Sequence, residues 1–466
     1  MFVLNHKSQL PLYTQLYQQI KDHILSGKLS SDSKLPSVRD LATELSASRN
    51  TVENAYQELY TEGYIYSKPR SGYFVSALNP DDAGLYPLKR KSPVSYPQAV
   101  RSNSCEYDFH PARLDRDSFP APLWRKNFVE CLRESSAELT SNSDPQGERE
   151  LRCLIQNYLE RSRGVVCCPE QIVICSGLQH SLGAVAQLLQ DQHSRVAVEN
   201  PGYSLPRSVF RNHRFQITPI GVGPGGIDLD SLQQSHATMA YVTPSHQFPT
   251  GCVMPVANRL KLIDWAESGG KFIIEDDYDS ELRYHGKPIP SLQGLRPEAN
   301  IIYLGTFSKI LSPALRVSYL VLPTCLLPNY QSLFQDYLCN VSLLEQKTLA
   351  AFMQKGHWDR HVRRMRTIYK KKHDALLGAI DHHFGARAVV LGQGAGLHVV
   401  LQLHDHPLGE SELISRALSR GIKLFPFSAS YASDEPDSSK FLIGFGGLAC
   451  DEIERGVKIL FEEWYR

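Results

Sequence analysis

A winged helix-turn-helix followed by a larger α/β unit is the fold class this sequence predicts, and three observations predict it. Before Gly63, apolar residues recur three times on a helical period, and from Tyr64 to Val75 they alternate on a strand period. Beyond Tyr107, short apolar runs rich in β-branched residues alternate with helical stretches, the order of a mostly parallel sheet with helices between its strands. Between the two, residues 79–106 hold Asn-Pro-Asp-Asp, Leu-Lys-Arg-Lys and Tyr-Pro without sustained periodicity, and read as a linker. The expected domains are therefore 1–78, 79–106 and 107–466, and a chain of 466 residues suits one large and one small core.

In the first unit, Leu12, Leu16, Ile20 and Ile24 form one stripe of a first helix. A second helix opens at Ser37, behind Pro36, and carries Val38, Leu41, Ala42 and Leu45 inward. After Ser46-Ala47-Ser48 a third presents Val52, Ala55, Tyr56 and Leu59 and stops at Gly63. A hairpin turning at Pro69-Arg70-Ser71-Gly72 completes the wing. In the second unit the expected strands are Gln171–Cys175, Arg195–Glu199, Met239–Thr243, Lys271–Glu275 and Ile301–Leu304. A charged helix over His357–His373 then opens a smaller C-terminal lobe of short strands.

Composition excludes several classes. A hydrophobic content of 42%, a charged content of 21% and a formal charge of +1 describe a soluble globular chain with no global attraction to nucleic acid or membrane. Contact with DNA must be local. The ten cysteines have neither metal-ligand nor CxxC spacing and are expected as reduced thiols, so no metal is implied. The opening residues lack a signal-peptide layout and no apolar run reaches membrane-spanning length, which points to the cytoplasm.

The third helix of the small unit begins Ser48-Arg49-Asn50-Thr51. Short polar and cationic side chains at a helix N-terminus can reach base edges while backbone amides meet phosphate. Arg39 at the start of the second helix, Lys34 before it, and Lys68, Arg70 and Gly72 in the wing are expected at the DNA backbone or minor groove. The basic runs Lys89-Arg90-Lys91 and Arg360 to Lys372 read as solvated faces.

The second unit gathers its chemistry at strand ends. Lys309 follows Ile301-Ile-Tyr-Leu-Gly-Thr-Phe-Ser and precedes Arg316 by seven residues. A buried lysine is readily deprotonated into a Schiff-base nucleophile, and hydroxyls with an arginine suit a phosphate monoester. The combination suggests pyridoxal 5'-phosphate. The acidic strand end Glu275-Asp276-Asp277-Tyr278-Asp279 would hold the pyridine nitrogen, with Tyr278 donating to the ring hydroxyl and Tyr203 of Asn-Pro-Gly-Tyr stacking on the ring. Phosphate would rest on the backbone amides of Ser176, Gly177, Leu178 and Gln179, completed by Thr306, Ser308 and Arg316.

Residues 10–76 resemble the GntR family of bacterial regulators in Leu-Pro-Ser-Val-Arg-Asp-Leu-Ala, Ser-Arg-Asn-Thr-Val and Gly-Tyr-Phe-Val. From Tyr107 the chain resembles the fold-type I, PLP-dependent aminotransferases. Nearly the full length resembles the MocR subfamily of GntR regulators, through Asp144-Pro-Gln-Gly147, Pro244-Ser-His-Gln-Phe-Pro-Thr-Gly251, Glu275-Asp-Asp-Tyr-Asp-Ser-Glu281 and Thr306-Phe-Ser-Lys309. The resemblance implies Lys309 as the Schiff-base lysine, Asp276 at the pyridine nitrogen, Tyr278 at the ring hydroxyl, Tyr203 stacked, and a head-to-tail homodimer bound to an operator. Three departures from the aminotransferase pattern bear on turnover. Leu442 stands where an arginine clamps the substrate carboxylate, Asn142 where a tyrosine reaches the partner's cofactor phosphate, and Phe248 where an asparagine precedes Pro-Thr-Gly, with Gln247 or His246 expected to compensate.

Three readings stand. The first is a regulator that senses pyridoxal 5'-phosphate itself and controls vitamin B6 synthesis or salvage. The same architecture can sense an amino compound, such as an amino acid, γ-aminobutyrate or taurine, that exchanges with Lys309 on the cofactor, with Arg113 as a substitute clamp. Least favoured is an active aminotransferase, because Leu442 removes a charge-assisted pair of about 2–5 kcal/mol.

Overall fold

The computed structural model describes residues 2–5, 8, 10–77, 105–135, 137–284, 289–433 and 439–465. They fall into two compact units, within Met1–Arg101 and Ser102–Arg466. Residues 79–104 of the expected linker, with Lys89-Arg90-Lys91, lie outside the described residues.

The small unit consists of helices α1 (Leu12–Leu25), α2 (Val38–Glu44) and α3 (Arg49–Thr61) and the antiparallel strands β1 (Ile65–Lys68) and β2 (Gly72–Val75). The apolar stripes meet in one core of Leu16, Ile20, Leu41, Val52, Tyr56, Leu59, Ile65 and Val75. Both expected helix starts are capped, the Ser37 hydroxyl accepting from the Asp40 amide and the Ser48 hydroxyl from the Thr51 amide, each at 3.1 Å. Such caps contribute about 1 kcal/mol each. Gly63 and Arg70 both have positive φ, +80° and +60°, which ends α3 and closes the wing turn.

In the large unit, chain order gives β3 (Tyr107–Asp108), β4 (Ile172–Cys175), β5 (Arg195–Asn200), β6 (Gln216–Gly223), β7 (Gly226–Ile227), β8 (Met239–Val242), β9 (Phe272–Asp276), β10 (Ile301–Thr306) and β11 (Ser318–Val321). The lobe adds β12 (Ala388–Leu391), β13 (His398–Leu403), β14 (Ile422–Lys423), β15 (Phe425–Pro426) and β16 (Lys440–Gly444). Eight strands form one sheet in the order β4-β11-β10-β9-β8-β5-β6-β7. The pairs from β10 through β6 are parallel, whereas β11 is antiparallel to both β10 and β4. Thus β4, β5, β8, β9 and β10 all end at one edge, and β11 begins there, where Ser318 faces both Thr306 and Cys175. Edges of this kind, outside the carboxyl ends of parallel strands, are where α/β sheets bind ligands.

The C-terminal lobe is the antiparallel sheet β12-β13-β16-β15. The charged helix runs further than expected, His357–Phe384, because Leu376, Ala379, Ile380 and Phe384 continue its buried face beyond His373. Nor is its basic side wholly solvated. Lys372 is buried and donates to Asp115 and the Gly446 carbonyl, at 2.5 and 2.8 Å. Strands β6 and β11 were not singled out in the sequence: β6 is half-exposed, and β11 follows a short turn from Arg316 without the helical stretch that marks the other strands. All ten cysteines are free thiols, and among the described residues no helix is long and apolar enough to cross a membrane.

Candidate functional site

A cleft of about 620 Å³ opens at the sheet edge between the large unit's main sheet and its lobe. That volume lies in the range of small-molecule sites. Lys309, Asp276, Tyr278, Tyr203, Leu178, Gln179, Thr306, Ser308 and Arg316 all line it, so nine of the eleven expected cofactor residues converge from five segments of chain. Ser176 lines the adjoining groove with Arg316, and its amide donates to His180 Nδ1 at 3.2 Å, which removes it from the expected set of free amides. Gly177 lies directly behind Arg316. With φ of +80° it starts the helix Leu178–Leu189, and a Cβ there would collide with the Arg316 guanidinium. Among the described residues the amides of Gly177, Leu178 and Gln179 donate to no protein acceptor, and Arg316 has no carboxylate partner. A guanidinium without a counter-charge beside free helix amides is a cradle for a dianion.

Lys309 is half-buried, with Nζ 5.7 Å from the Tyr278 ring centroid and no hydrogen bond to a described residue. Burial pulls its pKa down, against the opposing fields of Asp279 and Asp276, so the neutral amine is more accessible than on a free lysine. Asp276, at the end of β9, is buried and pushed up to about 7 by desolvation, while the Tyr241 hydroxyl that donates to its Oδ2 pulls it back. Oδ1 receives no hydrogen bond from a described residue.

Behind Tyr278 lies a buried polar group. His246 Nδ1 is 2.8 Å from Asp279 Oδ2 and 3.1 Å from the Tyr278 hydroxyl. A carboxylate can only accept, so the His246 proton sits on Nδ1, and the Tyr278 hydroxyl belongs to the same buried group, interacting with both His246 and Asp279. His246 and Gln247 do not line the cleft. Gln247 is spent on the loop, donating to Glu199 and to the carbonyls of Pro201 and Phe248 and accepting from Thr250, so it does not stand in for the missing asparagine. His246 compensates only at one remove, through Tyr278.

Of the lobe-side wall only Leu442 and Phe248 were legible in the sequence. Leu442 is buried with Val400 and Phe427, and Phe248, Phe425 and Tyr431 pack on this cluster. Tyr203 meets Phe248 edge-on, with ring centroids 5.5 Å apart. Two imidazoles complete the wall. His398, whose Nε2 is 3.2 Å from the Pro249 carbonyl, is driven down to about 3 by burial and stays neutral. His110 accepts the Ala112 amide on Nδ1 at 2.9 Å, and burial lowers its pKa too. Among the described lining residues, the Lys and Arg side chains are Lys309 and Arg316. Arg113 is outside the cleft, 3.4 Å from Asp108; Asn142 is exposed and also outside it.

In the small unit, Lys34, Arg39, Ser48, Arg49, Asn50, Lys68, Arg70 and Gly72 are exposed. None of the five cations among them pairs with a carboxylate of a described residue, whereas the buried Lys21 is tied to Glu62 at 2.8 Å. Lys34 bridges to Phe74 and so belongs with the wing. Thr51 is half-buried, and its hydroxyl lies 2.8 Å from that of Ser48, the helix cap.

Fold and sites define a DNA-binding protein whose second unit has the aminotransferase architecture. Residues 12–75 match the family described as "Bacterial regulatory proteins, gntR family", and residues 112–457 match "Aminotransferase class I and II". The chain is 41% identical over 461 residues to an uncharacterized HTH-type transcriptional regulator, YdeL of Bacillus subtilis, covering 99% of this chain and 98% of that one. It is 31% identical to the probable rhizopine catabolism regulatory protein MocR of Rhizobium meliloti, with 99% and 95% covered. Identity is 30% to the pyridoxine biosynthesis transcriptional regulator PdxR of Corynebacterium glutamicum, with 95% and 94% covered. Among solved structures, the α-aminoadipate aminotransferase LysN of Thermus thermophilus, complexed with N-(5'-phosphopyridoxyl)-L-leucine, superposes with a TM-score of 0.69 at 26% identity, covering 77% of this chain and 92% of that one. The chain belongs to the HTH-type transcriptional regulators of the MocR subfamily, in which a GntR helix-turn-helix domain is fused to an aminotransferase-like domain.

The aminotransferase fold family is PLP-dependent, and the donor set here fits that cofactor: an amine, a carboxylate with a free oxygen, a tyrosine hydroxyl at the cleft, and a cation without a carboxylate partner among the described residues beside helix amides.

Proposed function

We propose that this regulator holds pyridoxal 5'-phosphate at Lys309 and responds to the cofactor itself, coupling its level to transcription of vitamin B6 synthesis or salvage genes from the cytoplasm. The reading rests on one observation above the rest: the cleft has cations for the amine and phosphate positions and, among the described lining residues, no further Lys or Arg for a substrate carboxylate, with Leu442 in an apolar wall where the clamp would stand. The pyridoxine biosynthesis role in the name of PdxR supports it.

When bound, the cofactor supplies an electrophilic aldehyde to an amine. The rest is work done by the chain. Lys309 offers a neutral amine because burial disfavours its charge. Arg316, Thr306, Ser308 and the Gly177–Gln179 amides bind the phosphate, Asp276 holds the pyridine nitrogen, Tyr278 donates to the ring hydroxyl, and Tyr203 covers the ring. Without a carboxylate clamp an α-amino acid is poorly oriented, so the chain is a regulator without transamination turnover. Arg49 and Asn50 read the operator, Lys34, Arg39, Lys68 and Arg70 grip its backbone, and Ser48 and Gly72 shape the helix start and the wing. The domains are 1–78, 79–106 and 107–466, and the active form is a head-to-tail homodimer. Cofactor binding shifts the dimer between arrangements only by its differential affinity for them.

The wall of Phe248, Phe425 and Leu442 favours a second reading, in which an amine with an uncharged tail is the effector. Titration of the pure protein with pyridoxal 5'-phosphate, run beside binding to its own upstream DNA with and without a panel of amines, separates the two. The first reading expects the cofactor alone to change DNA affinity; a DNA response that requires an amine overturns it in favour of the second.

A further inference from the structure

We infer that Tyr241 is a positioning residue for the cofactor, fixing Asp276 with one oxygen engaged and the other turned to the pyridine nitrogen. The inference rests on the pyridoxal phosphate reading and adds to it a residue that no sequence motif singles out. Its origin is register. Strands β8 and β9 are parallel neighbours, with Tyr241 opposite Ile274. Side chains two residues apart on a strand share a face, so Tyr241 and Asp276 lie on the same face as diagonal neighbours. Tyr241 is 2% exposed, lines the cleft from below, and donates its hydroxyl to Asp276 Oδ2.

A buried acid with one free oxygen has two weaknesses, rotation and protonation, and the phenol opposes both. It holds the carboxyl in one orientation, and as a donor it stabilises the ionised form that a pyridinium requires. The remaining neighbours do not share this task. Asp277 and Asp279, on the same turn, push Asp276 toward protonation, while Lys309 from the turn after β10 opposes them with its charge. Tyr278 and Tyr203 feel the Asp276 charge without a hydrogen bond to it, and Glu199 adds negative field at Tyr241. Burial already pushes Asp276 up to about 7, and loss of the one donor raises it further.

The test is the pH dependence of pyridoxal 5'-phosphate affinity in the full-length protein, measured by absorbance titration from pH 6 to 9 for wild type, Tyr241→Phe, Asp276→Asn and the double variant. In wild type, affinity falls as pH drops through the Asp276 pKa. In Tyr241→Phe the fall begins at higher pH, with affinity at pH 7.5 about threefold to fortyfold weaker and the gap narrowing toward pH 9. The cofactor's own ionisations are common to all four proteins and cancel in the comparison. In the Asp276→Asn background, Tyr241→Phe leaves the pH profile unchanged. A Tyr241→Phe profile parallel to wild type at every pH overturns the inference, since a packing defect alone gives that result. Failure of the wild type to bind the cofactor through Lys309 sinks the pyridoxal phosphate reading and this inference together.

Discussion

The recognition helix and the cofactor cleft use charge in opposite ways. On α3 and the wing, cations are exposed, unpaired and built on short elements, so each acts nearly alone on a long polyanion. In the cleft, Lys309, Asp276, Tyr278 and His398 are desolvated, and their ionisation is set by burial and by one another. Among the described residues of the small unit the buried cation is Lys21, which is paired with Glu62. Surface charge can be changed one residue at a time, whereas a buried set responds as a group.

That contrast can be broken by variants whose effects should stay on their own side. The largest effect is expected for Lys309→Ala: the near-visible absorbance of the bound cofactor disappears, far-ultraviolet dichroism is unchanged, and operator affinity without cofactor equals wild type. A surviving band would place the amine elsewhere. Arg316→Ala removes the unpaired guanidinium and should weaken cofactor binding by about 1–3 kcal/mol, the range for a hydrogen bond to a charged group at an exposed residue, as read by absorbance titration. An unchanged affinity would show the helix amides to be sufficient. Arg49→Ala should cost about 1–3 kcal/mol of operator binding in a mobility-shift or anisotropy assay while cofactor affinity holds. Equal loss on specific and random DNA would make Arg49 a phosphate contact and not a base reader. The smallest effect belongs to Ser48→Ala, which deletes the α3 cap and should lower the stability of the small unit by about 1 kcal/mol, seen as an earlier first transition in thermal unfolding.

Most of the small unit was legible because its signals are local. A helical stripe with a proline or a serine cap at its start specifies each helix within about fifteen residues, and the observed α2 and α3 begin at the expected caps. In the large unit the strand-end motifs were legible for a related reason: Lys309, Tyr278 and Tyr203 each follow a β-branched run at short distance. The helix at His357 was cut short because its charged first half hides the apolar stripe that continues to Phe384.

The sequence by itself determined the two classes of fold, the order of the elements and the residue types that meet a phosphate, an amine and a pyridine, since these follow from periodicity and from motifs confined to single turns. Only the tertiary structure decided that Arg316 stands against Gly177, because antiparallel β11 inserts between β4 and β10. It alone brought Tyr241 to Asp276, through the register of two parallel strands, and His110 and His398 to the lobe-side wall. It also committed Gln247 to its own loop and paired Arg113 with Asp108. These outcomes depend on which distant segments become neighbours, and long-range proximity leaves no trace in the local pattern of a single chain.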